Sequence, residues 1–269
     1  MSRKTLIIDA HVHIYPNADL GLAVARSLAN MDAANPETET AKIWLLTERT
    51  DCSAFSMLQS SVRIGMYHIL PTRDPEALRV QLGERIVLYI LAGRQVITAE
   101  GHEFGLLNTL LNLPDRELDA AACIETAREA GALLSINWAP GKWSGRRKKA
   151  LIPLLTAPPE PHLFIGDSAM RPVFWSEPGL MRRAGQQGWR ILAGSDPLPF
   201  KGEEYSFGRY GSMITGELDP DRPADSLRRL LLSRETALLT WGSRRGTWEF
   251  TRRQLALMRM KNKTSLPSR

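Results

Sequence analysis

Cysteine is nearly missing from this chain: its 269 residues include two, Cys52 and Cys123. Two cysteines so placed make neither a disulfide framework nor a zinc-ribbon spacing, which excludes the small stapled secreted folds. Long apolar runs are missing too. No stretch approaches the roughly eighteen consecutive apolar residues of a membrane span, and no signal-peptide pattern precedes the first strand, so a soluble, cytoplasmic protein is expected. No helix-turn-helix, RNP-like or zinc-finger pattern occurs. Internal repeats and low-complexity segments are absent as well.

What the chain does have is apolar content and uneven charge. At 43% hydrophobic residues it can bury one large core, and its length suits a single α/β barrel. The formal net charge of +6 is concentrated in Arg146-Arg147-Lys148-Lys149 and in Arg252, Arg253, Arg259, Lys261, Lys263 and Arg269. Such runs are more often the solvated faces of helices than phosphate contacts. The expected partner is a small anionic substrate, with no specific nucleic acid and no membrane. The oligomeric state is left open.

Strand-like and helix-like stretches alternate along the chain. After a first strand over 6–16, helical spacing covers 19–30 and a buried strand covers 42–48. Weaker strands at 62–70 and 86–91 flank an expected short helix after Pro75. Residues 94–107 predict two strand segments with a turn at Gly101, and a helix over 119–130 stops at Gly131 before a strand over 133–137. A basic helix (145–155), a strand (162–165), a helix (180–187) and a strand (190–192) follow. Two amphipathic helices, 224–232 and 248–260, close the chain. This is the rhythm of a parallel sheet with crossover helices.

The first strand, Leu6-Ile7-Ile8-Asp9-Ala10-His11-Val12-His13, ends in two histidines spaced i, i+2. On a strand both imidazoles project from one face and can chelate one ion, with Asp9 of the same parity behind them. Two hydrogen-bonded core histidines are the plainer reading. In parallel sheets, functional groups gather at the carboxyl ends of strands. Those ends yield His11, His13, Glu48, Glu100, His102, Asp167 and Asp196, a set suited to zinc, manganese or iron. Capping of helix N-termini is the competing role for Glu48 and Asp167.

Asp9-Ala10-His11-Val12-His13, the segment 93–107 and Gly194-Ser195-Asp196 together resemble the PHP family of metal-dependent phosphoesterases. That resemblance implies a distorted (β/α)7, TIM-like barrel in a single domain: residues 1–222 as the barrel, with a helical C-terminal extension, 223–269, packed on it and ending in a polar tail. It implies ligands at His11, His13, His102 of Gly101-His102, and Asp196. The family's other ligand positions fall here on Arg49, Gln95, Ala139 and Leu198, none of which matches the family's pattern. The first and last motifs are also similar to the amidohydrolase superfamily of (β/α)8 metal-dependent hydrolases and decarboxylases. A member of that class would show two further strand-end histidines, and the one left, His162, starts its strand.

With its ligand set reduced, the chain is expected to hold one or two divalent ions, or none. His11, His13, His102 and Asp196 suffice for a mononuclear site whose activated water attacks a phosphate ester, Glu48 or Glu100 serving as general base and Asp196 as a catalytic carboxylate. Lys142, Arg171 and Arg209 lie on loops expected to rim the ion and to clamp an anion. Pairing with nearby acids such as Glu203 or Glu204 is the alternative for those cations. The Pro- and Gly-rich stretch 197–211 is expected to be a shaped loop at the same face. A barrel without metal, acting as a binding or regulatory module, is the remaining reading.

Overall fold

The chain begins with β1 (Lys4–Val12), buried on both faces from Leu6 onward, which explains its continuous rather than alternating apolar run. In the computed structural model, which describes residues 3–35 and 39–264, helix α1 (Leu20–Asp32) comes next. The Asp19 carboxylate caps it, accepting the Leu22 N–H at 3.0 Å. Strand β2 (Thr40–Leu46) runs parallel to β1. A short helix α2 (Ala54–Gln59) leads to β3 (Arg63–Ile64), β4 (Tyr67–Pro71), β5 (Ala77–Leu82) and β6 (Arg85–Leu91). The hairpin β7 (Gly93–Ile97) and β8 (Glu103–Leu107) follows. Helix α3 (Ala120–Glu129), capped by Asp119, leads into β9 (Leu133–Asn137). Then come α4 (Gly145–Thr156), β10 (Leu163–Ser168), α5 (Gly179–Gln186) and β11 (Arg190–Gly194). The last elements are β12 (Tyr210–Gly216), α6 (Pro223–Leu232), β13 (Leu239–Gly242) and α7 (Thr247–Thr264).

These strands form two sheets. The larger has the order β13-β12-β1-β2-β6-β5-β4-β3, the smaller β11-β10-β9-β8-β7. Inward residues of both, including Leu6, Ile8, Leu45, Leu107, Phe164 and Leu192, make one shared apolar layer. α1 and α2 cover the outer face of the large sheet, and α3, α4 and α5 that of the small one. This is the helix–sheet layering the alternation predicted.

The sheets meet at two edges, each through a glycine. At one, the Glu48 N–H donates to Gly93 O (3.1 Å) and the Gln95 N–H to Glu48 O (2.8 Å); a Cβ on Gly93 would lie 2.2 Å from Leu46 O. At the other, the Asp196 N–H donates to His11 O at 2.9 Å, and a Cβ on Gly194 would lie 2.2 Å from the His11 nitrogen. Only glycine permits such approach.

Several expectations are corrected. No closed (β/α)7 barrel forms among the described residues, because β3 to β6 pair antiparallel as a meander and antiparallel β12 takes the other flank of β1. The segment after Pro75 is strand β5, not a helix: its register against β6 runs Ala77↔Leu91 to Leu82↔Arg85, with Gly83 (φ 61°) at the turn. The expected shaped loop ends earlier than 211. Tyr210–Gly216, interrupted by Gly211 and closed by Gly216, forms a strand paired antiparallel with β1. No helix of the described residues is long and apolar enough to cross a membrane.

Candidate metal centre

At the end of β1 the pairing with β2 slips. Asp9 pairs with Trp44 but Val12 with Leu46, so three steps of β1 span two of β2. Such bulges re-aim side chains, and His11 lies within this one. The His11 and His13 Nε2 atoms stand 3.0 Å apart, and the Asp196 Oδ1 lies 3.7 and 3.6 Å from them. The circumcentre of that triangle is about 2.0 Å from all three atoms, the length of a zinc–histidine or zinc–carboxylate bond. Burial, and then the neighbouring His11, push His13 down to about 3, so its ring is neutral at pH 7. Two imidazole nitrogens and a carboxylate oxygen thus converge within 3.7 Å of one another, an arrangement that a divalent cation satisfies. The three residues fit such an ion.

Asp196 owes its place to its neighbour. Buried Asp9 accepts the Ser195 N–H at 2.7 Å, the Ser195 hydroxyl, and the Gly208 N–H at 2.9 Å. Burial raises the Asp9 carboxyl to about 6, with the Ser195 bonds opposing that rise. Asp196 itself adopts φ 51°, a left-handed conformation that side-chain-bearing residues seldom take. Its N–H is held on His11 O, so the strained residue is fixed from both sides. The His13 ring leans on Tyr15 at 5.8 Å between centroids.

The three residues open into a cleft of about 190 Å³. Its lining includes Arg49, Gln95, Ala139 and Leu198, the four positions at which the resemblance would have placed further ligands. They occupy the expected places with side chains that do not ligate. Lys142 lines the cleft and pairs with Glu103 at 2.6 Å.

The other sequence candidates are committed elsewhere. His102, at the head of β8, directs Nε2 to Arg147 O at 3.0 Å and is not part of the ligand group whose atoms lie within 4.8 Å of one another. Glu48 accepts the Phe55 N–H in the first turn of α2 and pairs with Arg94 at 3.5 Å; burial raises its carboxyl above the usual range. Glu100 accepts the Ala120 N–H at 3.2 Å at the start of α3. Arg171 is buried and forked onto Asp167 at 2.8 and 2.6 Å. Arg209 pairs with Glu249 at 2.9 Å. His162, just ahead of β10, pairs with Glu160 at 3.7 Å.

Sequence reasoning missed Tyr15, Glu103, Asn137, Gln254 and Leu257 as cleft residues. Tyr15 continues the i, i+2 series of His11 and His13, and Asn137 ends β9, so both had a signal. Glu103 begins a strand, and only the antiparallel direction of β8 brings that start to the site end.

No protein-family model matches the sequence, and no curated protein matches it significantly. Among solved structures, the chain aligns with PsfC from Pseudomonas syringae PB-5123 at a TM-score of 0.55 and 17% identity, covering 99% of this chain and 100% of that one. That likeness is one of fold. A two-domain protein from Bacteroides vulgatus ATCC 8482, containing a predicted PHP-like metal-dependent phosphoesterase, aligns at a TM-score of 0.44 and 15% identity. The alignment covers 88% of this chain and 65% of that one.

Proposed function

We propose that this protein is a metal-dependent hydrolase of small phosphate esters, with one divalent ion held by His11, His13 and Asp196. The observation that carries this reading is the Nε2, Nε2, Oδ1 triangle with its metal-sized centre. A divalent ion there supplies Lewis acidity and lowers the pKa of bound water toward about 7. Arg49 and Lys142 bind and orient the anion. Glu103, the cleft carboxylate outside the ligand triangle, is placed by its pairing with Lys142 and would accept the proton of the attacking water. The formal charges of Asp196, Glu103, Arg49 and Lys142 cancel, so the bound ion alone sets a positive cleft, matched to a phosphoryl dianion.

The test is metal analysis of protein purified without chelator or histidine tag, followed by a phosphomonoester screen with added zinc or manganese. One equivalent of metal and metal-dependent turnover, both lost in Asp196→Ala, are expected. Protein that takes up no metal would overturn the proposal. Metal binding without turnover of any ester would favour an anion-binding module instead.

A further inference from the structure

Two side chains of the cleft come from the far end of the chain: Gln254 and Leu257, one turn apart on α7. Both are half-buried, and they line the same space as His11, His13 and Asp196. An ionic hub fixes the helix there. The Glu203 carboxylate takes Arg245 Nη2 at 2.7 Å and Arg253 Nε at 2.6 Å, while Arg245 Nη1 reaches Glu249 at 2.7 Å. Arg245 is wholly buried. A buried arginine is tolerated only when its charge is matched, and these carboxylates match it. The same Glu203 also accepts the Leu198 N–H at 3.0 Å, and Leu198 lines the cleft. One carboxylate therefore ties the loop wall and the helix wall into a single unit.

We propose that α7 is the specificity wall of this site, with Leu257 and Gln254 restricting it to phosphoesters of small aliphatic alcohols and excluding aryl and nucleoside phosphates. This inference rests on the phosphoester reading above. The volume supports it: about 190 Å³ is below the roughly 300–1,000 Å³ of pockets that take drug-sized ligands. Tyr15 and Trp138 also line the cleft, so the discrimination rests on its size, which the Leu257 and Gln254 side chains reduce from the α7 side, and not on an absence of aromatic surface.

The experiment is calorimetric titration of zinc-loaded, full-length protein with methylphosphonate and phenylphosphonate, two dianions that are not hydrolysed. Wild type is expected to bind the methyl compound at least about tenfold more tightly, the scale on which pocket size discriminates. In Leu257→Ala that ratio should fall about tenfold, and in Gln254→Ala it should fall in the same direction. Leu255→Ala, on the exposed face of the helix, should leave the ratio at its wild-type value. Equal binding of both phosphonates by wild type, or an unchanged ratio in both cleft variants, overturns the inference while leaving the phosphoester reading intact. Failure of zinc-loaded wild type to bind either phosphonate overturns both.

Discussion

Asp9 and Ser195 meet across the join of the two sheets, the buried Asp9 carboxylate receiving both the backbone N–H and the hydroxyl of Ser195. Ser195 precedes Asp196, so this contact sets the position of the carboxylate proposed as a metal ligand from outside the ligand triangle. Ser195→Ala removes one hydrogen bond to a buried carboxylate, and the expected loss is about 1.5–3 kcal/mol. Zinc affinity should weaken at the same time, because Asp196 loses part of its anchor. Urea denaturation and a competitive zinc titration read the two effects. Unchanged zinc affinity in the folded variant would show that the Asp9 contact serves stability alone.

His102 and His13 are both buried histidines, yet only His13 stands in the ligand triangle. Zinc content of His13→Ala should fall to near zero. His102→Ala should keep its full equivalent and lose stability alone, about 2–5 kcal/mol from the cavity left by the buried ring together with the bond to Arg147 O. Elemental analysis of both variants decides it. Loss of zinc in His102→Ala would require a larger ligand set.

The buried histidine also predicts a pH dependence for metal-free protein. His13 stays neutral in the folded chain down to about 3, against 6.5 when unfolded. Between those values the unfolded state binds the extra proton, so stability falls as pH drops. From about pH 7 to about pH 5 the His13 share of that loss is on the order of 2 kcal/mol. Asp9 acts in the opposite sense: with its carboxyl raised from 3.8 to about 6 by burial, its share of stability falls as pH rises through that window. His13→Gln removes the first contribution and keeps the second. Its stability should therefore decline from about pH 5 to about pH 7 relative to wild type, as followed by urea denaturation. Parallel pH profiles for the two proteins would refute the assignment.

Arg171 belongs to a buried triad in which Asp167 also accepts the Tyr210 hydroxyl at 2.8 Å. Arg171→Ala strands that carboxylate, with an expected cost of about 3–5 kcal/mol. Phosphonate affinity of the fraction that remains folded should not change, since the guanidinium is spent on Asp167. Weakened anion binding in a well-folded variant would restore Arg171 to the substrate site.

The sequence by itself determined what depends on neighbours along the chain. Strand parity put His11 and His13 on one face, helical spacing marked α1 and Gly131 the end of α3, and the strand-end position of Asp196 brought it to the same edge. The tertiary structure decided everything that depends on competition for partners. Glu48 and Glu100 went to helix N-termini, Arg171 and Arg209 to nearby carboxylates, and His102 to a carbonyl of α4. A charged or polar group that becomes buried takes the partner within reach, and the sequence does not say which partner that is. The same holds for the strands: hydrogen-bond ladders are non-local, so periodicity could identify a strand but not the antiparallel pairings of β3 to β6 and β12 that keep the sheets from closing. It also holds for α7, whose amphipathic pattern predicted a helix. The ion pairs of Glu203 with Arg245 and Arg253, and of Arg245 with Glu249, placed that helix over the candidate site.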